Sequence, residues 1–449
     1  MRSGWTSPLD WRLDRISRFS QANDTKILFV VLDGIGGLPH PDFVEHGPFD
    51  RPHEKTPKSE LEWASLHGKL ENLNAFVRDS KTVTGRMYPI GKGFTPGSVA
   101  GHLGIFGYDP QYYFVKRGPA EAGALVGLTQ PGDVIARMNF CLADAQGQIV
   151  DRRSGRLKDP KRGQQLAANL NRDIRIPQAH VQVVATAEHR GLLIIRKNET
   201  SDPPLSEDVS DTDSGAAGSC PLECRPLNLM DKPAARTAEI VQSFTAQVRE
   251  ILAGEPDANM ILLRGFGTTP ALPHFTDVYN VEAAAIASYP VYRGVASLLG
   301  MTVLSGGDGS GTGFSAHEFG PEIDCLRQNY DRYGFFYLHY KKTDEKGEDG
   351  DFLGKVDAIH AFDRQFARIR ELDFQVIVVT GDHATPSLLA RHSHHSVPLA
   401  IYSEVMKGYD HTQEFTEPSC LHGTRGCIDG PELMTIVLAN AGRMRKFDG

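Results

Sequence analysis

The sequence predicts an α/β protein with a mostly parallel sheet, helices on both faces, and an inserted α+β region. Three observations predict it. Lys26-Ile-Leu-Phe-Val-Val-Leu-Asp-Gly34, Gly334-Phe-Phe-Tyr-Leu-His-Tyr340 and Gln375-Val-Ile-Val-Val-Thr380 are continuous apolar runs, the pattern of strands buried on both faces. Each run ends in acidic or imidazole residues, as expected where the carboxyl edge of a parallel sheet binds a ligand. Between the first run and the other two lies a stretch of shorter, alternating, arginine-bearing elements.

The chain has 449 residues, 40% hydrophobic and 23% charged, which is a globular composition too long for one ordinary core. The net charge of −8 argues against nucleic acid or an anionic membrane as the main partner. No segment has the apolar length of a membrane span or a signal core, so a cytoplasmic protein is expected, monomeric or homo-oligomeric. Six cysteines without Cys-x-x-Cys spacing read as free thiols.

In chain order, residues 1–24 read as an N-terminal extension and 25–114 as the first part of the core. Asp33 then follows the first strand. Pro96 and Gly97 stop what precedes Ser98, and Val99 to Phe106 restart as a helix. Such a helix start offers free N–H groups to a phosphate, so Ser98 reads either as a nucleophile or as an N-cap.

Residues 115–276 read as the inserted domain. Val181 to Ile195 predicts a hairpin around Glu188-His189-Arg190, Ser201 to Pro226 a long loop, and Ala235 to Leu252 a helix. Asn259 to Leu263 predicts a strand that delivers Arg264 into a turn at Gly265-Phe-Gly267. Residues 277–449 complete the core, with Leu353, Val356, Ile359, Phe362, Phe366 and Ile369 as the buried stripe of a helix.

The strand ends deliver Asp33, Asp344 with Glu348, and Asp382 with His383; Arg391-His-Ser-His-His follows and contributes His392. Singly, each is an ordinary turn or cap residue. Gathered at one edge they would repel one another or go unsatisfied unless they bound metal, and mixed oxygen and nitrogen donors suit Mn²⁺, Zn²⁺ or Mg²⁺. Two such ions about 4 Å apart could activate a hydroxyl and steady a transferring phosphoryl group. Arg137, Arg153, Arg156, Arg190 and Arg264 supply guanidinium forks for phosphate and carboxylate, with about half of the cations in this region expected to be solvated.

These residues resemble the archaeal-type cofactor-independent phosphoglycerate mutases of the alkaline phosphatase superfamily, over about Lys26 to Leu438. The resemblance rests on Val-Leu-Asp-Gly (31 to 34), Thr-Pro-Gly-Ser (95 to 98) with His102 and Gly-Tyr-Asp-Pro (107 to 110), Arg-Gly-Pro-Ala-Glu-Ala (117 to 122), Asp-Arg-Arg-Ser-Gly-Arg (151 to 156), Leu-Leu-Arg-Gly (262 to 265), Lys-Thr-Asp-Glu (342 to 345) and Thr-Gly-Asp-His-Ala-Thr-Pro (380 to 386). It implies an alkaline-phosphatase-like core with an inserted substrate-binding cap. It also implies a phosphoserine at Ser98 on the way from 3-phosphoglycerate to 2-phosphoglycerate, two divalent ions (Mn²⁺ foremost, Mg²⁺, Zn²⁺ or Co²⁺ as alternatives), and no 2,3-bisphosphoglycerate. One ion would be held by Asp33, Ser98, Asp382 and His383, the other by Asp344, Glu348 and His392. Arg153, Arg156 and Arg264 would hold the carboxylate and phosphate of the acid, with Arg293 near the phosphoryl group.

The chain departs from the family at Glu348, where histidine is usual, at Val99 after the serine, at Lys116, and at Arg293, where lysine is usual. Two other readings therefore stay open. One is a phosphatase or mutase of another small phosphorylated or phosphonate acid; the other is a non-catalytic metal- or metabolite-binding homologue.

Overall fold

The computed structural model describes residues 10–46, 55–68, 70–123, 128–157, 159–186, 188–305, 319–405 and 410–447. The first nine residues of the N-terminal extension lie outside them. The chain divides into two compact units, one from residues 1–114 and 272–449 and one from 115–271. Residues 272–276, placed in the middle region from sequence, belong to the first unit.

The first unit is organised by an eight-stranded sheet. Its strand order is Thr302–Val303, Ala283–Ile286, Phe335–Tyr340, Ile27–Leu32, Val376–Thr380, Val397–Ser403, Thr82–Tyr88, Gly426–Asp429. Only Val397–Ser403 runs against its neighbours. The three strands expected from sequence are adjacent at the centre and buried along their whole length. Their register pairs Leu32 with Tyr340 and Val31 with Thr380, so Asp33, Lys341 and Gly381 leave the sheet at one level.

The helix Phe352–Arg370 buries Val356, Ile359, Phe362, Phe366 and Ile369. Leu353, expected in the same stripe, is 54% exposed. It lies in the first turn, where Phe352 and Lys355 are the residues that turn inward. Among the described residues no helix is long and apolar enough to cross a membrane.

The second unit is an antiparallel sheet, with Val134–Ala143 between Arg190–Arg196 and Met260–Thr268, and His180–Ala185 beyond the former. Period-two alternation gives the central strand two different faces. Val134, Ala136, Met138 and Phe140 enter the main core with Leu166 and Leu170 of the helix Pro160–Asp173 and with Val241, Phe244 and Val248 of Lys232–Ile251. Ile135, Arg137 and Asn139 point the other way. The turn expected at Gly265-Phe-Gly267 is instead part of the Met260–Thr268 strand, where the pairing slips by one residue and Gly265 takes φ +63°. That glycine marks a β-bulge, which a sequence reading cannot separate from a turn.

Candidate active site

Ser98 is the first residue of the helix Ser98–Ile105, with Gly97 as its cap and no side-chain capping bond. The N-cap reading of Ser98 is therefore corrected. Gly101 lets this helix approach the turn after Val376–Thr380, because a Cβ there would lie 2.2 Å from the carbonyl oxygen of Asp382. One turn beyond Ser98, His102 is fully buried, with Nδ1 2.8 Å from the Ser98 carbonyl oxygen and 3.2 Å from Asp382 Oδ2. His102 thus links the serine's backbone to a carboxylate at a strand end.

Asp33, Asp382 and His383 have no solvent exposure. His383 Nε2 lies 3.1 Å from Asp33 Oδ1 and 3.3 Å from Asp382 Oδ2. None of these three atoms has a hydrogen-bond partner. Buried polar atoms are normally paired, so three facing ligand atoms left without partners fit a divalent cation. A second group joins Asp344, His383 and His392, with His392 Nε2 3.5 Å and His383 Nδ1 3.8 Å from Asp344 Oδ1. His392 is held by Nδ1, 3.0 Å from the Pro96 carbonyl oxygen.

Glu348 stands at the rim, 54% exposed, with Oε1 3.4 Å from His392 Nε2. The sequence had kept the two metal sets separate, whereas here His383 falls in both groups. Gly34 completes the wall: at φ +65°, a Cβ would lie 2.6 Å from Thr385 Oγ1 and 2.8 Å from Asp344 Oδ1. Any side chain at residue 34 would fill the site.

The electrostatics follow from burial and pairing. Burial works to raise the Asp33 pKa, but the Lys341 ammonium and the adjacent imidazoles of His339 and His383 hold it well below the usual carboxylate range. Burial disfavours the charged form of His383, yet Asp382, Asp33 and Asp344 together raise its pKa to about 9. Burial lowers the pKa of His339.

Three residues around Asp33 escaped the sequence reading. Lys341 Nζ lies 3.0 Å from Asp33 Oδ2 and also bonds Asp344 Oδ2, so one ammonium joins the two groups. Tyr292 donates its hydroxyl to Asp33, and His339 Nε2 is 3.2 Å from the same carboxylate. Lys341 was hidden in a charged run. His339 sits in an apolar strand, where its position just before the strand end was the only signal.

Arg293 lies on the helix Pro290–Leu298, half-buried, with Nε unpaired and its pKa lowered by burial. The remaining candidates belong to the second unit. Arg137 and Arg264 are directly opposite on neighbouring strands, and Arg190 stands opposite Asn139, so all three arginines share the face opposite the helices Pro160–Asp173 and Lys232–Ile251. Like charges placed opposite one another destabilise a sheet, so this arrangement favours an anion. Glu121 takes Arg137 Nε at 3.2 Å and Arg117 Nε at 2.9 Å, while Arg264 Nε is buried without a partner.

Arg153 and Arg156 flank a tight loop. Asp151 accepts from the backbone N–H groups of Arg153 at 2.8 Å and Gly155 at 2.6 Å, which lowers its pKa. Arg156 Nη1 is 4.0 Å from Glu188, and Arg152, one residue away, is committed to a bidentate pair with Asp213.

A mostly parallel sheet that gathers carboxylates and imidazoles at the carboxyl ends of its central strands defines an α/β fold with its candidate site at that edge. A family model described as 2,3-bisphosphoglycerate-independent phosphoglycerate mutase matches residues 80–257. A Deinococcus radiodurans protein named "Probable 2,3-bisphosphoglycerate-independent phosphoglycerate mutase" is 39% identical over 97% of this chain and 98% of its own. A Thermus thermophilus protein of the same name is 38% identical over 96% and 98%. Among solved structures, a Pyrococcus horikoshii protein matches at TM-score 0.71 and 25% identity, over 95% of this chain and all of its own. The cofactor-independent phosphoglycerate mutase of Thermoplasma acidophilum matches at TM-score 0.64 and 26% identity, over 93% of this chain and 100% of its own. The chain belongs to the family of 2,3-bisphosphoglycerate-independent phosphoglycerate mutases, which are isomerases.

Proposed function

We propose that the chain interconverts 3-phosphoglycerate and 2-phosphoglycerate through a phosphoserine at Ser98. The observation that carries this reading is the set of unpartnered buried ligand atoms on Asp33, Asp382 and His383, joined through His102 to the helix that begins at Ser98. The Asp33, Asp382 and His383 group would hold one divalent ion with Ser98. Asp344 and His392, with Glu348 at the rim, would hold the other. Mn²⁺ suits this mixed donor set best, and Mg²⁺, Zn²⁺ and Co²⁺ are compatible with it. Bound there, such ions supply positive charge that favours the Ser98 alkoxide and offsets the charge of the phosphoryl oxygens.

The chain's own groups do the rest. Ser98 Oγ forms a bond to phosphorus as the bond from phosphorus to the 3-oxygen breaks, and the serine proton ends on that oxygen. Glycerate then turns, its 2-oxygen takes the phosphoryl group, and the 2-hydroxyl proton returns to Ser98. The free N–H groups at the helix start favour the phosphorylated side chain. Arg264, Arg137 and Arg190 bind the carboxylate and phosphate of the acid together with Arg153 and Arg156, and Arg293 serves the phosphoryl group.

A coupled enolase assay with Mn²⁺, Mg²⁺ and Co²⁺ supplied in turn tests the reading. The expected result is formation of 2-phosphoglycerate from 3-phosphoglycerate without added 2,3-bisphosphoglycerate. No turnover with any of the metals would sink it, and faster turnover of another phosphorylated acid would move the substrate assignment there.

A further inference from the structure

Lys355, on the helix Phe352–Arg370, has no solvent exposure, and among the described residues no carboxylate lies within ion-pair distance of it. Its ammonium donates to three backbone carbonyls: Gly34 at 2.9 Å, Gly36 at 3.2 Å and Thr385 at 2.7 Å. Lysine has three donors, and all three are used. Two of these carbonyls follow Asp33 and the third follows Asp382 and His383. The loops concerned also meet each other, through the Thr385 N–H to the Gly34 carbonyl at 3.2 Å and bridges from Ala384 to Ile35, Gly36 and Ser393.

Two buried carboxylates take the N–H groups of the same loops. Glu417 Oε1 accepts from Gly37 N at 2.8 Å, and its other oxygen from Ser59 Oγ at 2.7 Å. Glu60 Oε1 accepts from Ser387 N at 2.6 Å. One cation therefore holds the carbonyls of both loops, and two anions hold their N–H groups, each from a different helix. An uncompensated buried ammonium costs several kcal/mol, and packing alone would be served better by an apolar side chain. Its use here is explained by what it fixes.

We propose that Lys355, with Glu60 and Glu417, forms a buried ionic clamp that positions the loops carrying Asp33, Asp382 and His383 for metal binding. Lys355 is a positioning residue, acting through the backbone of residues 34–37 and 382–387. The proposal rests on the metal-binding reading above. Its direct consequence, the rigidity of the two loops, does not.

The experiment therefore combines Mn²⁺ titration with hydrogen exchange of the metal-free protein. Lys355→Met is expected to weaken Mn²⁺ binding by about 10- to 100-fold, the usual cost of losing a group that supports metal ligands. It should also speed exchange in peptides covering 33–37 and 382–387, with the rest of the sheet unchanged. In Lys355→Ala, n-propylammonium should restore both properties while propanol should not, a response that simple loss of packing would not give.

Glu417→Gln should loosen only the 34–37 loop and Glu60→Gln only the 385–387 loop; these two variants decide the matter if neither Lys355 variant folds. Unchanged exchange in both loops, or losses that no alkylammonium restores, overturns the clamp. Wild-type protein that binds no Mn²⁺, while Lys355→Met still loosens both loops, sinks the metal reading and leaves the clamp standing.

Discussion

In the first unit Asp33, Asp344, Asp382 and His383 are buried to within 1% of complete exclusion, whereas in the second unit Arg156 is 57% exposed and Arg137 21%. Both arrangements crowd like charges, but they resolve the crowding differently. The acids are surrounded in advance by Lys341, His102, His339 and Tyr292, and beyond these the backbone is tied to Lys355. The arginines lean on few carboxylates, and Arg264 keeps a buried Nε unpaired. Under the proposed function the buried set would hold permanent residents, and the arginine face an anion that comes and goes. Deep burial magnifies every electrostatic interaction, and exposure screens it.

The comparison breaks first at Ser98. Ser98→Ala should lower mutase turnover by at least about a thousandfold, since no other group can form the covalent intermediate. Phosphate-labelled protein should vanish with it, as read by intact-mass spectrometry after incubation with substrate.

Next in size is loss of a buried acid. Asp382→Asn should abolish Mn²⁺ binding measured by calorimetry, because it removes both a ligand oxygen and the partner of His102. Chelation of the wild type should lower its melting temperature by the stabilisation bound metal supplies, about 2.7 kcal/mol at a hundredfold excess over Kd. A melting curve indifferent to chelator would show that no resident ion stabilises the first unit.

Arginine substitutions should be milder and fall mainly on KM. Arg264→Ala and Arg137→Ala are each expected to raise KM by about 10- to 100-fold, and Arg264→Lys should recover only part, because an ammonium cannot reproduce the planar fork. Equal losses in kcat alone would mean that the face acts in the transition state and not in binding.

The smallest effect concerns His189. Burial lowers its pKa, and Arg190, Arg153 and Arg156 push in the same direction while Glu188 opposes them. Its stability contribution is therefore present above the unfolded value of about 6.5 and is lost as pH falls from there through the lowered folded value. NMR titration should place His189 below a free histidine, and a saturating phosphorylated acid should raise it by neutralising the arginines. No response to the ligand would separate His189 from the anion site.

How much of this was legible in the sequence depends on the range of the signal. Buried parallel strands announce themselves as apolar runs, and an acid at the end of such a run is conspicuous, so Asp33, Asp344, Asp382 and His383 could be read directly. Tyr292 could not, because its role arises where the Pro290–Leu298 helix meets Asp33, across 259 residues. Nothing in the sequence marks Lys355, and only burial separates it from an ordinary surface lysine. Leu353 fitted a period it does not obey, and Gly265 signalled a break in geometry without telling turn from bulge. What was legible was local; the support around the site comes from contacts between distant segments.

The interleaved chain order of the first unit has a further consequence during synthesis. Ile27–Leu32 pairs only with Phe335–Tyr340 and Val376–Thr380, while every strand of the second unit lies between Val134 and Thr268. At ordinary translation rates the interval from Leu32 to Phe335 lasts about 15–60 s. For that time an entirely apolar strand has left the ribosome without its partners, while the middle of the chain can already fold. A stop codon placed just before Phe335 should therefore yield an aggregating product that still contains a protease-resistant middle fragment.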